Sequence, residues 1–135
     1  MALDTPPFVG LVVVSHSRLI AEGTAELAGQ MAGPEVRIVP AGGMADGAIG
    51  TDAARIAEAI GEADTGGGVV VLADLGSAVL STRTALELLD DPGAVRLSTG
   101  PIVEGAVMAA VQASTGSTLD EVLAAAEAAA TLPKG

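Results

Sequence analysis

Cysteine is absent from this chain of 135 residues, which removes disulfides, thiolate zinc sites, iron–sulfur clusters and cysteine nucleophiles together. Tryptophan and tyrosine are absent too. One phenylalanine is the only aromatic ring of its kind, so the stacking platforms that bind single-stranded nucleic acid are missing. Basic residues are few: six Lys and Arg stand against 17 Asp and Glu, for a net charge of −11. That balance argues against nucleic acid and against anionic membrane surfaces, both of which need Lys/Arg patches. Any electrostatically steered partner is expected to be basic. No uninterrupted apolar run of about 18 residues is present to span a bilayer. The first seven residues lack the basic start and long apolar stretch of a secretory signal. A cytoplasmic protein is the expectation.

What is present is Ala, Val, Leu and Ile, in a chain that is 50% hydrophobic and long enough to bury a core without a staple. No linker, internal repeat or low-complexity tract divides it, so one domain over residues 1–135 is expected. Apolar runs of strand length alternate with helical patterns. Residues 9–14 read as a first strand, and Leu19, Ile20, Leu27 and Met31 then share one face of a helix that ends at Gly33-Pro34. Residues 36–39 read as a short second strand. A Gly-rich loop follows, closed by Thr51 as the cap of a helix carrying Ile56 and Ile60. Residues 69–73 form the clearest central strand, a continuous β-branched run suited to burial on both faces. Leu75, Val79, Thr82, Leu86 and Leu89 then recur at helical spacing, and Asp91-Pro92-Gly93 turns the chain. A weak strand at 95–97, a helix from Ile102 to about Ser114, and a last helix opened by the capping box Thr118 to Glu121 complete the pattern. Such alternation predicts an α/β three-layer sandwich, with a mostly parallel sheet of four or five strands between helices.

The loops expected at the carboxyl edge of that sheet are 15–17, 42–51, 74–77 and 98–101, all rich in Gly, Ser and Thr. Open α/β sheets place their ligands at this edge, and loops running into helix starts present N–H groups and hydroxyls to an anion. The chain's one histidine, His16, lies in the first of them. Its imidazole could attack, shuttle a proton or bind a metal. If the strand ending at Ala73 lies beside the strand ending at Val14, Asp74 can reach His16, fix its tautomer through Nδ1 and leave Nε2 as the nucleophile. The blander account is that Asp74 caps the next helix at Ser77 and His16 is a satisfied loop residue. Ser15 and Ser17 are expected to cap the helix and to touch phosphate, and Arg18 is expected to be an exposed helix-start arginine. The carboxylates Glu22, Glu26, Asp46 and Asp52 are too scattered to suggest a metal site.

The segments Val12-Val13-Val14-Ser15-His16-Ser17, Gly42-Gly43 through Asp46-Gly47-Ala48-Ile49-Gly50-Thr51, Leu72-Ala73-Asp74-Leu75-Gly76-Ser77-Ala78 and Pro101-Ile102-Val103-Glu104-Gly105-Ala106 resemble, in order and spacing, a known family. It is that of the phosphotransferase subunit of the bacterial PTS-dependent dihydroxyacetone kinase. Its mannose-type enzyme IIA domain is similar to essentially this whole chain. The resemblance implies a homodimer whose histidine accepts a phosphoryl group from the phosphocarrier HPr and passes it to ADP held on an ADP-binding kinase subunit. No tightly bound cofactor is then expected, because ADP and ATP reside on the partner. By this match His16 is the phosphorylated residue and Asp74 its orienting carboxylate, with Ser17, Gly50, Thr51, Leu75, Gly76 and Ser77 lining the phosphate pocket. HPr-like and enzyme-I-like domains that follow in some family members do not occur before Gly135.

Other readings fit less well. A mannose-type sugar-transport enzyme IIA would use the same histidine and aspartate but hand its phosphoryl group to a IIB protein. Its aspartate tends to precede a longer segment with Gly-Gly, Pro and Asn, unlike Asp74-Leu75-Gly76-Ser77-Ala78. A serine hydrolase built from Ser77, His16 and Asp74 lacks a Gly-x-Ser-x-Gly elbow. A nucleotide-binding module lacks Gly-x-Gly-x-x-Gly and a P-loop lysine, since the only lysine is Lys134. A regulatory scaffold would be indifferent to loss of the imidazole.

Overall fold

Four apolar segments pair into one parallel sheet in the computed structural model, which describes residues 7–90 and 93–135. The strands are β1 (Gly10–Ser15), β2 (Ile38–Gly42), β3 (Val69–Ala73) and β4 (Val95–Leu97), in the spatial order β2-β1-β3-β4. Alternation along the two central strands divides the core. Leu11, Val13, Val70 and Leu72 pack against α1 (Arg18–Ala32), α4 (Ile102–Ser114) and α5 (Leu119–Ala128). Val12, Val14, Val69 and Val71 pack against α2 (Ala53–Ala63) and α3 (Gly76–Leu88). The α/β sandwich is therefore the expected one, with four strands. The expected turn at Asp91-Pro92 and the reading of residues 1–6 lie outside the described residues.

The second strand begins and ends later than expected, running through Pro40 to Gly42. Proline is tolerated there because β2 is an edge strand, hydrogen-bonded only to β1, with Pro40 opposite Val13. Val36 is buried, but it packs under α1 ahead of the strand. Thr51 does not cap α2. Asp52 does, accepting from the Ala54 and Arg55 N–H groups. The capping box of α5 forms as expected, with the Glu121 N–H on Thr118 Oγ1 at 3.2 Å and the Thr118 N–H on Glu121 Oε1 at 2.8 Å.

The larger correction concerns which helix faces are buried. Leu19, Ile20, Leu27 and Met31 were the expected core stripe of α1, yet they are 70%, 49%, 46% and 58% exposed. Ala21, Thr24 and Ala28 face inward instead. In α3 most of the expected stripe holds: Thr82 is buried and Leu86 and Leu89 pack against the core beside Ala78 and Ala85, while Leu75 is exposed. Periodicity alone cannot choose between a stripe of large residues and an adjacent stripe of small ones. Close packing does, because alanines let helix and sheet backbones approach. At Gly42, a Cβ would stand 2.6 Å from both Ala21 Cβ and the Ser17 carbonyl oxygen, so the start of α1 lies directly on the end of β2.

Candidate active site

Helices α1 and α2 leave from opposite faces of the sheet, and β2 and β3 flank β1 on opposite sides, so the topological switch point falls between β1 and β3. Open sheets place their ligands at the carboxyl ends of the strands there, and a cavity lined by Asp74, Leu75, Gly76, Val79 and Thr99 opens alongside, between β3 and β4. His16 follows β1 and Asp74 follows β3, so the parallel pairing brings together two residues that are 58 positions apart. The Asp74 N–H donates to the Val14 carbonyl at 3.1 Å, which extends the ladder one step and fixes the aspartate's backbone.

Four donors converge on the Asp74 carboxylate. Oδ1 accepts from His16 Nδ1 at 2.9 Å and from the Leu75 N–H at 2.8 Å. Oδ2 accepts from the Ser15 hydroxyl at 2.9 Å and from the His16 N–H at 3.0 Å. Partial burial raises the carboxyl pKa, but the bonds from the His16 N–H, its ring and Ser15, with the attraction of the imidazole, outweigh it and hold Asp74 below the ordinary carboxylate range. A carboxylate can only accept, so the ring proton belongs on Nδ1 and the neutral imidazole keeps its lone pair on Nε2. Ser77 Oγ stands 2.5 Å from Nε2. The ring is 21% exposed and the carboxylate 14%, so Asp74 forms the floor and Nε2 faces outward.

Ser77 lies in the first turn of α3, whose N-cap is Leu75 and whose start has no side-chain cap. The N–H groups of Gly76 and Ser77 therefore lack intrahelical acceptors, and they sit with the positive end of the helix dipole beside Nε2. Asp74 takes the Leu75 N–H but does not cap the helix at Ser77. The other pocket residues are less direct. Gly50 donates its N–H to the His16 carbonyl at 2.9 Å, holding the histidine loop from behind. The Thr51 hydroxyl bonds Ser81 Oγ at 2.6 Å, one turn along α3. Ser17 caps α1, its hydroxyl accepting from the Ile20 N–H at 3.3 Å. Arg18 pairs with Glu22 on the exposed surface. Ser15, expected to touch phosphate, is fully buried and bonds Asp74 instead. The signal for that role was a hydroxyl ending an otherwise apolar strand.

The order Asp74–His16–Ser77 reproduces the hydrogen-bond chain of a hydrolytic triad, the arrangement weighed from the sequence as a rival reading. Ser77 nonetheless sits in a helix, not at a strand-to-helix elbow. Among the described residues, no group of three or more His, Cys, Asp or Glu is placed to hold a metal.

A family model described as PTS system fructose IIA component matches residues 10–123. The phosphoryl donor subunit DhaM of PEP-dependent dihydroxyacetone kinase 2 from Listeria innocua is 39% identical over 85% of this chain and 94% of its own length. The DhaM subunits of Providencia stuartii and Escherichia coli are 43% and 44% identical, over 90% and 85% of this chain. This chain spans only about a quarter of the length of those two relatives, 26% and 25%. A crystal structure of an unknown-function protein, EF1359, superposes with a TM-score of 0.79 at 37% identity, over 89% of this chain and 93% of that one. The chain belongs to the mannose-type enzyme IIA family, EIIA-man, as a relative of the DhaM phosphoryl donor subunits.

Proposed function

We propose that this protein is a cytoplasmic phosphohistidine carrier of a PEP-dependent dihydroxyacetone kinase system. His16 Nε2 accepts a phosphoryl group from phospho-HPr and passes it to ADP bound on an ADP-binding kinase subunit. The carrying observation is the Asp74 carboxylate on Nδ1, which leaves an outward Nε2 lone pair beside the uncapped start of α3. The names of the DhaM relatives supply the phosphoryl-donor role and the kinase system.

In the first transfer, the Nε2 lone pair forms a bond to phosphorus as the donor's N–P bond breaks and its electron pair returns to the donor imidazole. His16 then carries Nδ1–H and a substituted Nε2, and Asp74 balances the ring's positive charge. The Ser77 hydroxyl turns from Nε2 to a phosphoryl oxygen, and the Gly76 and Ser77 N–H groups donate to the other phosphoryl oxygens, stabilising their negative charge. In the second transfer, a β-phosphate oxygen of ADP attacks and the imidazole leaves as its neutral tautomer. Both steps exchange reactive phosphoryl donors, so the protein's task is in-line positioning and exclusion of water. Leu19, Ile49, Leu75 and Leu80, all more than half exposed on the segments that follow or hold His16 and Asp74, would be covered by a docked partner. An apolar cleft of about 350 Å³ between α1 and α4, lined by Leu27, Met31, Val103, Val107 and Leu132, supports a homodimer.

Incubation with phosphoenolpyruvate, enzyme I and HPr is expected to add one acid-labile phosphoryl group to the native chain and none to His16→Ala, read by intact mass. Discharge by the ADP-loaded kinase subunit identifies the dihydroxyacetone system. Labelling without discharge would instead identify a sugar-transport enzyme IIA that serves a IIB protein, and no labelling would overturn the carrier reading. The triad-like pairing of Ser77 makes a second variant decisive. Ser77→Ala should still be labelled, at a rate lowered by no more than about 10²–10³-fold. Complete loss in a folded Ser77→Ala chain would favour a serine nucleophile.

A further inference from the structure

The buried Ser15 hydroxyl stands behind the chemistry without touching the outward face of His16. Ser15 ends β1 opposite Gly42 and is 0% exposed. It continues the inward side of Leu11 and Val13, where every other position of the strand is apolar. A hydroxyl there needs partners, since an unpaired buried polar group is costly. It has two, donating to Asp74 Oδ2 at 2.9 Å and accepting the Ser17 N–H at 3.0 Å. The same oxygen thus ties the carboxylate that faces the ring to the backbone that starts α1.

We propose that Ser15 is a positioning residue for phosphoryl transfer, its hydroxyl locking the Asp74 carboxylate so that Oδ1 stays on Nδ1–H and the lone pair stays on Nε2. The inference rests on the carrier reading of His16. Each carboxylate oxygen accepts two bonds, so both the plane and the tilt of the group are determined. The His16 and Leu75 N–H groups are backbone donors of the two loops themselves, one after β1 and one after β3. Among the described residues, Ser15 is the one side chain besides the imidazole that hydrogen-bonds the carboxylate, and it does so from the central strand. Without it, Oδ2 keeps a single donor and the carboxylate can pivot about its Cβ–Cγ bond. Pivoting loosens Oδ1 from Nδ1–H and lets the neutral ring populate its other tautomer, whose proton sits on Nε2 and blocks attack. Partners one shell behind a reacting imidazole commonly change its performance by about tenfold to a hundredfold.

The test compares Ser15→Ala, Ser15→Cys and Ser15→Thr with the native chain. Single-turnover phosphoryl acceptance from phospho-HPr is one readout, and the ¹⁵N shifts of the His16 ring, which report the tautomer without any partner, are the other. Ser15→Ala is expected to fold, to accept about tenfold to a hundredfold more slowly, and to show more Nε2–H tautomer. Ser15→Cys, similar in volume but a weak donor, should follow it, and Ser15→Thr should restore both readouts. If the alanine chain fails to fold, the cysteine and threonine chains decide, because threonine keeps the donating hydroxyl and cysteine does not. Equal rates and unchanged ring shifts across the folded variants overturn the proposal, as does slowing without a tautomer change. A native chain that is never phosphorylated would overturn the carrier reading alone, since the ring shifts are measured without transfer.

Discussion

Asp74→Asn is expected to fold and yet to accept phosphoryl groups about 10²–10⁴-fold more slowly than the native chain, in the range seen when an imidazole's orienting carboxylate is lost in hydrolytic triads. The reason is the count of donors. Four hydrogens point at two oxygens, from Ser15, the His16 N–H, the His16 ring and Leu75. An amide offers one oxygen and one NH₂, so two of the four meet another donor. If the NH₂ faces the ring, Nδ1 must become an acceptor and the proton moves to Nε2, which removes the nucleophile. If it faces the other way, the Ser15 hydroxyl and the His16 N–H lose their acceptor, at about 1–3 kcal/mol for each orphaned group. Rapid-quench transfer assays and the His16 ring shifts separate the two arrangements. Native-like acceptance in a folded Asp74→Asn chain would sink the proposed role. The stability deficit has a pH signature. Because the folded carboxyl pKa lies below its ordinary value of 3.8, the native chain's advantage is fully present above that value and disappears as pH falls through the depressed folded pKa.

Gly10→Ala should produce the largest loss of stability among single-methyl additions. A Cβ at this position on β1 would lie 2.1 Å from the Ala63 carbonyl oxygen and 2.8 Å from its carbon. Both are backbone atoms at the end of α2, held by the Asp64 N–H bond to the Ile60 carbonyl at the helix C-cap, so no rotamer change relieves the clash. The strand must separate from the helix. Overpacking against mobile side chains costs about 1–3 kcal/mol, and a clash with fixed backbone should exceed that, lowering the melting temperature by about 10 °C or more. Gly23→Ala is the paired control. It lies mid-helix in α1 with nothing within 4 Å of an added Cβ, and should stabilise by about 0.5–1 kcal/mol. Calorimetry showing equal melting points for the two variants would refute the account of close strand–helix approach.

The strands were legible because burial on both sheet faces demands continuous β-branched runs, and Val69 to Ala73 needs no other explanation. The pairing of His16 with Asp74 was legible for a related reason. In a parallel sheet every strand ends at the same edge, so a lone histidine after one strand and an aspartate after another converge if the strands are neighbours. Helix orientation was not legible. Leu27 and Met31 have the right period, but Ala21, Thr24 and Ala28 share that period one position away, and the choice depends on how closely the sheet lets a helix approach. Pro40 argued for a loop until β2 proved to be an edge strand. The bonds of Gly50 and Ser15 were hidden as well. A backbone N–H pointing at the His16 carbonyl and a hydroxyl pointing under the sheet edge leave no trace in residue type beyond small size and polarity.

The Asp74 N–H on the Val14 carbonyl bears on how the protein works over time. His16 and Asp74 directly follow the two innermost strands, and the histidine loop is further tied by Gly50, so both side chains are anchored to the core. On the carrier reading, loading and unloading the imidazole then asks for rotation of the Ser77 hydroxyl. Side-chain rotations of that kind take place in picoseconds to nanoseconds, far faster than protein partners meet and part. A carrier built this way has no internal clock, and its turnover is timed by the encounters that fill and empty it.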